Sequence, residues 1–424
     1  MIGDTGATRR DFLRTASAAT AALGTFSIIG RAQGADAAPL RAGLIGCGRR
    51  GVGAARNFLD ADPAVKIVAM GDLFPDQLEA ARKKMGEWGD RVAVTDDTCF
   101  SGFDAAEKVI QCDLDIVLLC APPGFRPWHL RAAVEAGRHV FMEKPAAACP
   151  AGVRSVIESG EMAAKKGLSI VAGTQRRHQP PYLDIIRRIH DGAIGDIVAA
   201  SCYWVGDYGY YPAVIREDGW SDTEAQIRNW NYFTWLSGDH IVEQHVHNID
   251  IMNWALGAHP VSCFAVGGRQ QRTGSEFGHI YDHFAVEFEY PGGVRVQSLC
   301  RQNEDVFERV GEHLVGTKGT SNPGRDIAGA KAYRFKGEDA DPYVQEHVDL
   351  IAGIRNGKPL NEARNVAEST MAAVMGRMSA YTGREVTWEW AMEKSKLDLM
   401  PKPDIAFGAM PVPDVAVPGV TELV

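Results

Sequence analysis

The stretch AGLIGCGRRGVG at residues 42–53 decides the expected fold of this chain. Its first four residues are apolar and predict a buried strand, and residues 52–59 are compatible with a helix. Between them, Gly46 allows a tight turn, Gly48 allows the backbone to approach a pyrophosphate, and Gly51 allows close packing of helix on strand. The first N–H groups of such a helix are free to bind phosphate. The loop residues predicted to bind a dinucleotide are Gly46, Cys47, Gly48, Arg49, Arg50 and Gly51.

An acidic residue follows the second apolar run, at 65–70. Asp72 lies near the distance of roughly 20 residues from the glycine loop at which an acidic side chain hydrogen-bonds the ribose of NAD. An arginine in this region accommodates the additional phosphate of NADP, and none follows Asp72 directly. The sequence therefore favours NAD over NADP as the cofactor.

The first part of the chain alternates apolar runs with helical stretches. Continuous apolar strands that alternate with helices predict a doubly wound parallel sheet, here a Rossmann domain over residues 38–178. The helical stretches include 75–86, 125–136 and 151–166. The expected strands are 42–45, 65–71, 92–95, 115–120, 139–142 and 168–172.

The ends of the last three predicted strands carry distinctive residues. Ligands of such a sheet bind outside the carboxyl ends of its strands. We therefore expect these strand ends to contact the cofactor. The candidates are Ala121, Pro122, Glu143, Lys144 and Gln175.

The pattern changes at about residue 180 to longer strands with turn signals. The run 283–290 alternates in part, and Pro291-Gly292-Gly293 predicts a hairpin into the next strand. A mainly antiparallel, open sheet in an α+β domain over 179–395 follows, and we expect a homodimer or homotetramer through this sheet. The sequence of residues 396–424 predicts an irregular arm that lies on the body or on a partner subunit. Further strands are expected at 197–205, 261–267, 294–299, 310–316 and 332–335, and helices at 341–356 and 363–380.

The N-terminal segment has the features of an export signal. Twin arginines open the run RRDFLR at 9–14, an apolar stretch follows at 15–30, and a small-residue cleavage pattern lies at 35–38. These features predict a Tat-type signal peptide at 1–37 and a periplasmic or extracytoplasmic protein. Since this pathway carries folded proteins, a nucleotide cofactor would be loaded before export.

Charge and hydropathy exclude two other classes of partner. The formal net charge is −9, and no basic run is present, which argues against a nucleic-acid-binding protein. No apolar run reaches 18 residues, so no membrane-spanning helix is expected.

Four features together resemble the Gfo/Idh/MocA family of sugar and polyol oxidoreductases. They are the glycine loop, Asp72, the triplet Glu143-Lys144-Pro145 and the stretch GDHIVEQHVHNIDIMNW at 238–254, and the similarity covers residues 40–390. The resemblance implies transfer of a hydride from a substrate hydroxyl to NAD. It also implies that the cation of Lys144 stabilises the developing alkoxide and that His247 accepts the hydroxyl proton.

One departure from the family pattern concerns the residues before His247. Glu243 stands where the family has aspartate, and His245 stands where it has glycine. On a helix, Glu243, His247 and Asp250 share one face. On an extended segment, Glu243, His245 and His247 share a face and could ligate a divalent metal. Both Glu243 and His245 are therefore candidate catalytic residues, and the minor metal alternative stays open.

Ten aromatic residues between 203 and 235 form a second cluster. Flat rings with polar edges suit the faces and hydroxyls of a sugar, but the same residues could form a packed insertion or an oligomer contact. Arg177, His178 and Arg228 could hydrogen-bond substrate or belong to structural ion pairs. The candidates for substrate binding are Arg177, Tyr208, Trp230 and Asp250.

The export signal and the cofactor loop together suggest an NAD that is tightly bound and recycled. One reaction that fits is oxidation of a secondary hydroxyl of a sugar or glycoside, followed by reduction of a second carbonyl. Another is a redox-neutral glycoside hydrolase or lyase that forms a transient 3-keto sugar and needs an additional acid/base, such as Glu243 or His245. A third reading, of another class, is a non-catalytic sugar-binding protein that holds the cofactor on the same fold.

Overall fold

A computed structural model describes residues 38–206 and 212–424 of the 424-residue chain. The predicted signal peptide at 1–37 and the candidate Tyr208 lie outside the described residues. Two sheets organise the described residues, one of six strands and one of nine. This arrangement confirms the predicted fold class of a Rossmann sheet followed by an α+β domain.

The six-stranded sheet is parallel throughout, in the order β3-β2-β1-β4-β5-β6. This is the doubly wound order. The strand order reverses between β1 and β4, and the crevice at that point can hold a dinucleotide. Its strands are β1 Leu40–Ile45, β2 Val65–Asp72, β3 Cys99–Ser101, β4 Ile116–Leu119, β5 His139–Met142 and β6 Ile170–Ala172. Its helices are α1 Arg49–Ala61, α2 Pro75–Gly86, α3 Ala105–Gln111, α4 Arg126–Glu135 and α5 Pro150–Lys166.

The prediction of a strand at 92–95 is wrong. Only Val92 in this segment bridges to β2, opposite Ile67, and the third strand of the sheet lies at Cys99–Ser101. The side chains of Thr95 and Thr98 close a short turn on each other's backbone, which ends the pairing and redirects the chain. Polar capping thus overrides the apolar alternation of this segment.

The second sheet is mixed but mainly antiparallel, in the order β14-β13-β12-β11-β7-β10-β9-β8-β15. Only the pairing of β10 with β7 is parallel among its described ladders. Its strands are β7 Ile197–Gly206, β8 Ser262–Gly268, β9 His283–Tyr290, β10 Val294–Gln302, β11 Arg309–Gly316, β12 Gly319–Asn322, β13 Asp326–Gly329, β14 Tyr333–Arg334 and β15 Val386–Thr387. The helices of this part are α6 Pro180–His190, α7 Asp222–Arg228, α8 Thr234–Ser237, α9 His240–Glu243, α10 Val246–Leu256, α11 Pro342–Arg355 and α12 Ala363–Thr382.

Side-chain alternation decides which face of this sheet is covered. In β9, Phe284, Val286, Phe288 and Tyr290 are buried, and α12 packs on that side of the sheet. On the opposite face, Phe264 and Val266 of β8 remain exposed. The predicted homo-oligomer through this sheet stays a prediction.

The C-terminal arm lies on the body of the chain, which was one of the two expectations. Its backbone carbonyls accept hydrogen bonds from the Thr223 N–H at 3.1 Å and from the Tyr281 hydroxyl at 2.8 Å, through Gly408 and Ala416 respectively. Beyond residue 400 the described chain forms no helix and no strand. Across the described ranges, no helix has the length and apolar character needed to cross a lipid bilayer.

Candidate active site

The glycine loop joins β1 to α1 with the geometry that a pyrophosphate requires. Gly46 has a φ of +89°, and a Cβ on Gly51 would lie 1.9 Å from the Gly46 carbonyl oxygen. By contrast, a Cβ on Gly48 would meet nothing within 4 Å, because this residue borders an open cavity. Among the described residues, no side chain caps the start of α1 and its first turn holds no acidic residue. The N–H groups of this helix are therefore available to an anion.

A cavity of about 1360 Å³ lies at the carboxyl ends of the parallel strands. It exceeds the roughly 300–1000 Å³ of pockets for one small ligand, and so has room for a dinucleotide together with a substrate. Of the twelve predicted cofactor residues, only Cys47 does not line it. The Cys47 thiol is buried and lies 3.4 Å from the Gly71 carbonyl oxygen.

Asp72 lies in this cavity at the end of β2. Its two carboxylate oxygens accept hydrogen bonds from the N–H groups of Cys47 at 2.6 Å and Phe74 at 2.9 Å. Burial raises the pKa of Asp72 above its usual value, although both hydrogen bonds act in the opposite direction. Since a carboxylate offers about four acceptor positions, two ribose hydroxyls can still be accommodated. The residues present thus fit the adenosine ribose of NAD.

Lys144 and Glu243 form a buried ion pair in the wall of the cavity. Lys144 follows β5, and its Nζ donates to Glu243 Oε1 at 2.8 Å and to the Glu243 carbonyl oxygen at 2.5 Å. The other carboxylate oxygen of Glu243, Oε2, is buried without a hydrogen-bond partner. The glutamate therefore fixes the cation in place and keeps one acceptor for a further group.

His247 borders the same cavity from α10. Its ring stacks on Trp204 with centroids 5.8 Å apart. No described residue forms a hydrogen bond to either imidazole nitrogen. Burial, followed by the positive charges of Lys144 and Arg176, holds the pKa of His247 well below its usual value. The imidazole is therefore neutral at neutral pH and can accept a proton.

The structure separates His245 from this group. Helix α9 ends at Glu243 and α10 begins at Val246, so the segment is neither one helix nor extended. His245 is fully buried, with Nε2 at 2.7 Å from Ser298 Oγ and 3.7 Å from Cys202 Sγ. Burial lowers its pKa to about 3. The described residues contain no group of three or more His, Cys, Asp or Glu placed to hold a metal ion.

Two predicted substrate residues, Arg177 and Asp250, lie away from the cavity and pair with each other. The guanidinium of Arg177 donates from Nε and Nη2 to the two oxygens of Asp250, at 2.8 and 2.9 Å, and both side chains are almost fully buried. The Ser369 hydroxyl also donates to Asp250, at 2.7 Å. This geometry corresponds to the structural ion pair that sequence reasoning left open.

Most of the described aromatic cluster packs into a hydrophobic core. Tyr232 and Phe233 are buried with Phe74 and Phe125 of the first domain, which favours the packed-insertion reading for these rings. Trp230 packs against this core and also lines the cavity. Of the cluster, Trp204 is the ring beside His247.

Sequence reasoning missed several cavity residues, among them Arg126 and His129. Arg126 is buried and donates to the carbonyl oxygens of Ala121 and Pro145, which ties the ends of β4 and β5 together. Burial lowers its pKa to about 10 and the pKa of His129 to about 4. The segment PGFRPWH resembles an ordinary helix start, so no signal in the sequence distinguished these two side chains.

A doubly wound sheet, a phosphate-ready glycine loop and a lysine and a histidine at one cavity define an NAD-dependent oxidoreductase. Two family models match the chain, an oxidoreductase family with an NAD-binding Rossmann fold over residues 40–174 and the GFO/IDH/MocA C-terminal domain over residues 182–322. Together they cover more than half of the chain. The protein belongs to the Gfo/Idh/MocA family.

The sequence identity between this chain and individual proteins is low. The chain is 23% identical to the scyllo-inositol 2-dehydrogenase (NAD(+)) of Bacillus subtilis, over 66% of this chain and 72% of that protein. It is 27% identical to inositol 2-dehydrogenase 3 of Saccharopolyspora erythraea, over 76% of this chain and 87% of that one.

Solved structures share the fold at still lower identity. The scyllo-inositol dehydrogenase of Lactobacillus casei, with bound NAD(H) and scyllo-inositol, superposes with a TM-score of 0.63 at 20% identity, covering 82% of this chain and 99% of that one. A levoglucosan dehydrogenase in complex with NADH and levoglucosan gives 0.66 at 16% identity, with the same coverage.

Proposed function

We propose that this protein is an exported NAD-dependent oxidoreductase that acts on a secondary hydroxyl of a sugar, glycoside or sugar alcohol. The observation that carries the proposal is the Lys144–Glu243 ion pair beside a neutral His247, in the wall of the dinucleotide cavity. The names of the inositol dehydrogenase relatives support a polyhydroxylated substrate.

The residues divide the work of oxidation between them. NAD, when bound, accepts the hydride from the carbinol carbon. The ammonium of Lys144 stabilises the negative charge that develops on the hydroxyl oxygen, and Glu243 holds that ammonium against the cavity wall. The imidazole of His247 takes the hydroxyl proton, so that the carbon and oxygen are left as a carbonyl.

The pH dependence of oxidation tests the role of His247. Protonation removes the base, and the pKa of His247 lies well below its usual value of about 6.5. We therefore expect kcat/KM for oxidation to stay level as the pH falls from 8 through about 6.5, and to decline only in more acidic solution. Steady-state rates across this range measure the effect. A decline with its midpoint near 6.5 would contradict a desolvated His247 as the base.

The proposed export leads to a prediction about cofactor turnover. If the protein leaves the cytoplasm folded, its NAD is carried with it, and the NADH formed by oxidation of the substrate returns its hydride to a carbonyl within the catalytic cycle. We expect protein purified from the exported fraction to contain nucleotide, seen by absorbance and by analysis of the supernatant after denaturation. Purified protein that lacks nucleotide and turns over only with added NAD would overturn the retained-cofactor part of the proposal, but not the oxidoreductase activity.

One observation keeps the redox-neutral glycoside hydrolase or lyase as a second candidate. Such a reaction needs an additional proton donor or acceptor next to the oxidised carbon. The Oε2 atom of Glu243 is buried, unpartnered and at the cavity, whereas His245 is enclosed by the second sheet. Incubation of the holoprotein with a panel of sugars and glycosides separates the alternatives, because only the second releases an aglycone without net reduction of NAD.

A further inference from the structure

Residues of the second domain line part of the adenosine half of the cavity. In a doubly wound sheet of this order, the adenosine of a dinucleotide lies over the β1–β3 side and the nicotinamide over the β4–β6 side. Asp72 and Phe103 mark the adenosine side here. The cavity wall nevertheless includes Trp220 and Arg228, which belong to the segment that leads into and forms α7.

Arg228 connects the two domains at this point. Its Nη1 and Nη2 atoms bind both oxygens of Asp76, at 3.0 and 3.1 Å, and its Nε binds Glu224 at 3.0 Å. The guanidinium also lies over the rings of Phe74, at 3.9 Å, and Trp220, at 4.9 Å. Since Asp76 lies in the first turn of α2, the bidentate pair spans the rim of the cavity from the second domain to the Rossmann domain.

The C-terminal arm supports the same contact from outside the cavity. The ring of Phe407 lies 6.1 Å from Phe74 and 5.0 Å from Phe103, both on the Rossmann domain. A few residues on, the Met410 carbonyl oxygen accepts a hydrogen bond from Gln226 in α7, at 2.7 Å. Helix α7 is therefore held between the arm and the rim, and it cannot swing outward unless both sets of contacts break.

We propose that Arg228 retains the cofactor by closing the cavity over the adenosine half of NAD. This inference rests on the proposed function, since it names the residue that keeps the exported nucleotide bound. Release of the dinucleotide requires the Arg228–Asp76 pair to open and the guanidinium to move away from the rings of Phe74 and Trp220. A planar cation that stacks on aromatic rings also suits the adenine, which offers a further π surface.

The test is the rate at which NADH leaves the protein in the absence of sugar. Holoprotein loaded with NADH is mixed with excess NAD, and the loss of NADH fluorescence gives the dissociation rate. Arg228→Ala removes both the ion pair and the stacking, and we expect it to speed release by about tenfold. Arg228→Lys keeps the charge but not the planar fork, and should give an intermediate rate.

A matched control separates this effect from loss of any ion-paired arginine. Arg187 also pairs with two carboxylates, those of Asp184 and Asp191, but is exposed on α6 outside the cavity. Arg187→Ala should release NADH at the parent rate. Thermal unfolding of each variant establishes that it is folded. Phe407→Ala removes the contacts of the arm with Phe74 and Phe103 and should also speed the release of NADH.

The outcomes decide the inference independently of the proposed function. If Arg228→Ala and Arg228→Lys release NADH at the parent rate, Arg228 does not retain the cofactor, even where the parent holds its nucleotide tightly. If the parent itself exchanges nucleotide quickly, the retained-cofactor proposal fails. Even in that case, faster release from Arg228→Ala than from the parent would support the role of Arg228 in slowing dissociation.

Discussion

Lys144→Met is expected to lower kcat/KM for oxidation by roughly 10²- to 10³-fold, the cost of removing one preorganised group that stabilises a developing oxyanion. Methionine keeps most of the length of the side chain but carries no charge and no donor. The substitution also leaves the buried Glu243 carboxylate without its cation, so that the cavity gains a negative charge where the alkoxide would form. The measurement is the steady-state rate with a polyol such as an inositol.

Glu243→Gln is the informative companion to this variant. It keeps an oxygen that can accept from Lys144 but removes the charge that fixes the ammonium. We expect a smaller loss of kcat/KM than in Lys144→Met, because the cation remains in the cavity. Lys108→Met, at an exposed pair with Asp104, is the control for loss of a surface lysine and should behave as the parent. A Lys144→Met protein that is folded and oxidises the polyol at the parent rate would contradict the proposed chemistry.

The parts of the site that follow strand ends could be predicted because the parallel sheet determines where those ends lie. The glycine loop, Asp72 and Lys144 each follow a strand with a clear apolar pattern, and they line one cavity. Once the strands are recognised, the parallel sheet brings their carboxyl ends, and with them these residues, to one edge. The prediction of the third strand was wrong because the turn at Thr95 and Thr98 is closed by side-chain hydrogen bonds, which hydrophobic periodicity does not reveal.

The segment around Glu243 could not be placed from its spacing. Both readings assumed one regular conformation, but the chain breaks between α9 and α10. Because of this break, the His245 side chain packs against the second sheet, where its Nε2 forms a hydrogen bond with Ser298 Oγ. Glu243 and His247 remain at the cavity. Ser298 lies on β10, far away in sequence, and only tertiary packing brings it to His245. Contacts of this kind also separate Arg228 from Arg177, which the sequence alone could not distinguish.

Asp250→Ala is expected to lower the free energy of unfolding by about 3–5 kcal/mol, the usual cost of removing one partner from a buried ion pair. The substitution leaves the Arg177 guanidinium buried without a counter-charge and leaves the Ser369 hydroxyl without its acceptor. No solvent screening reduces this cost, because both charged side chains are almost fully enclosed. Urea unfolding followed by circular dichroism measures the effect.

A double variant shows whether the loss arises from the pair itself. Replacing both Arg177 and Asp250 by apolar residues of similar size leaves no unpaired charge, so Arg177→Met with Asp250→Leu should be more stable than Asp250→Ala. Since the pair lies outside the cavity, we expect Asp250→Ala to lower the free energy of unfolding and to leave the KM for the sugar close to that of the parent. If Asp250→Ala raised that KM with an unchanged free energy of unfolding, the substrate role predicted from the sequence would be right, and the buried pair would matter less to the fold than its geometry implies.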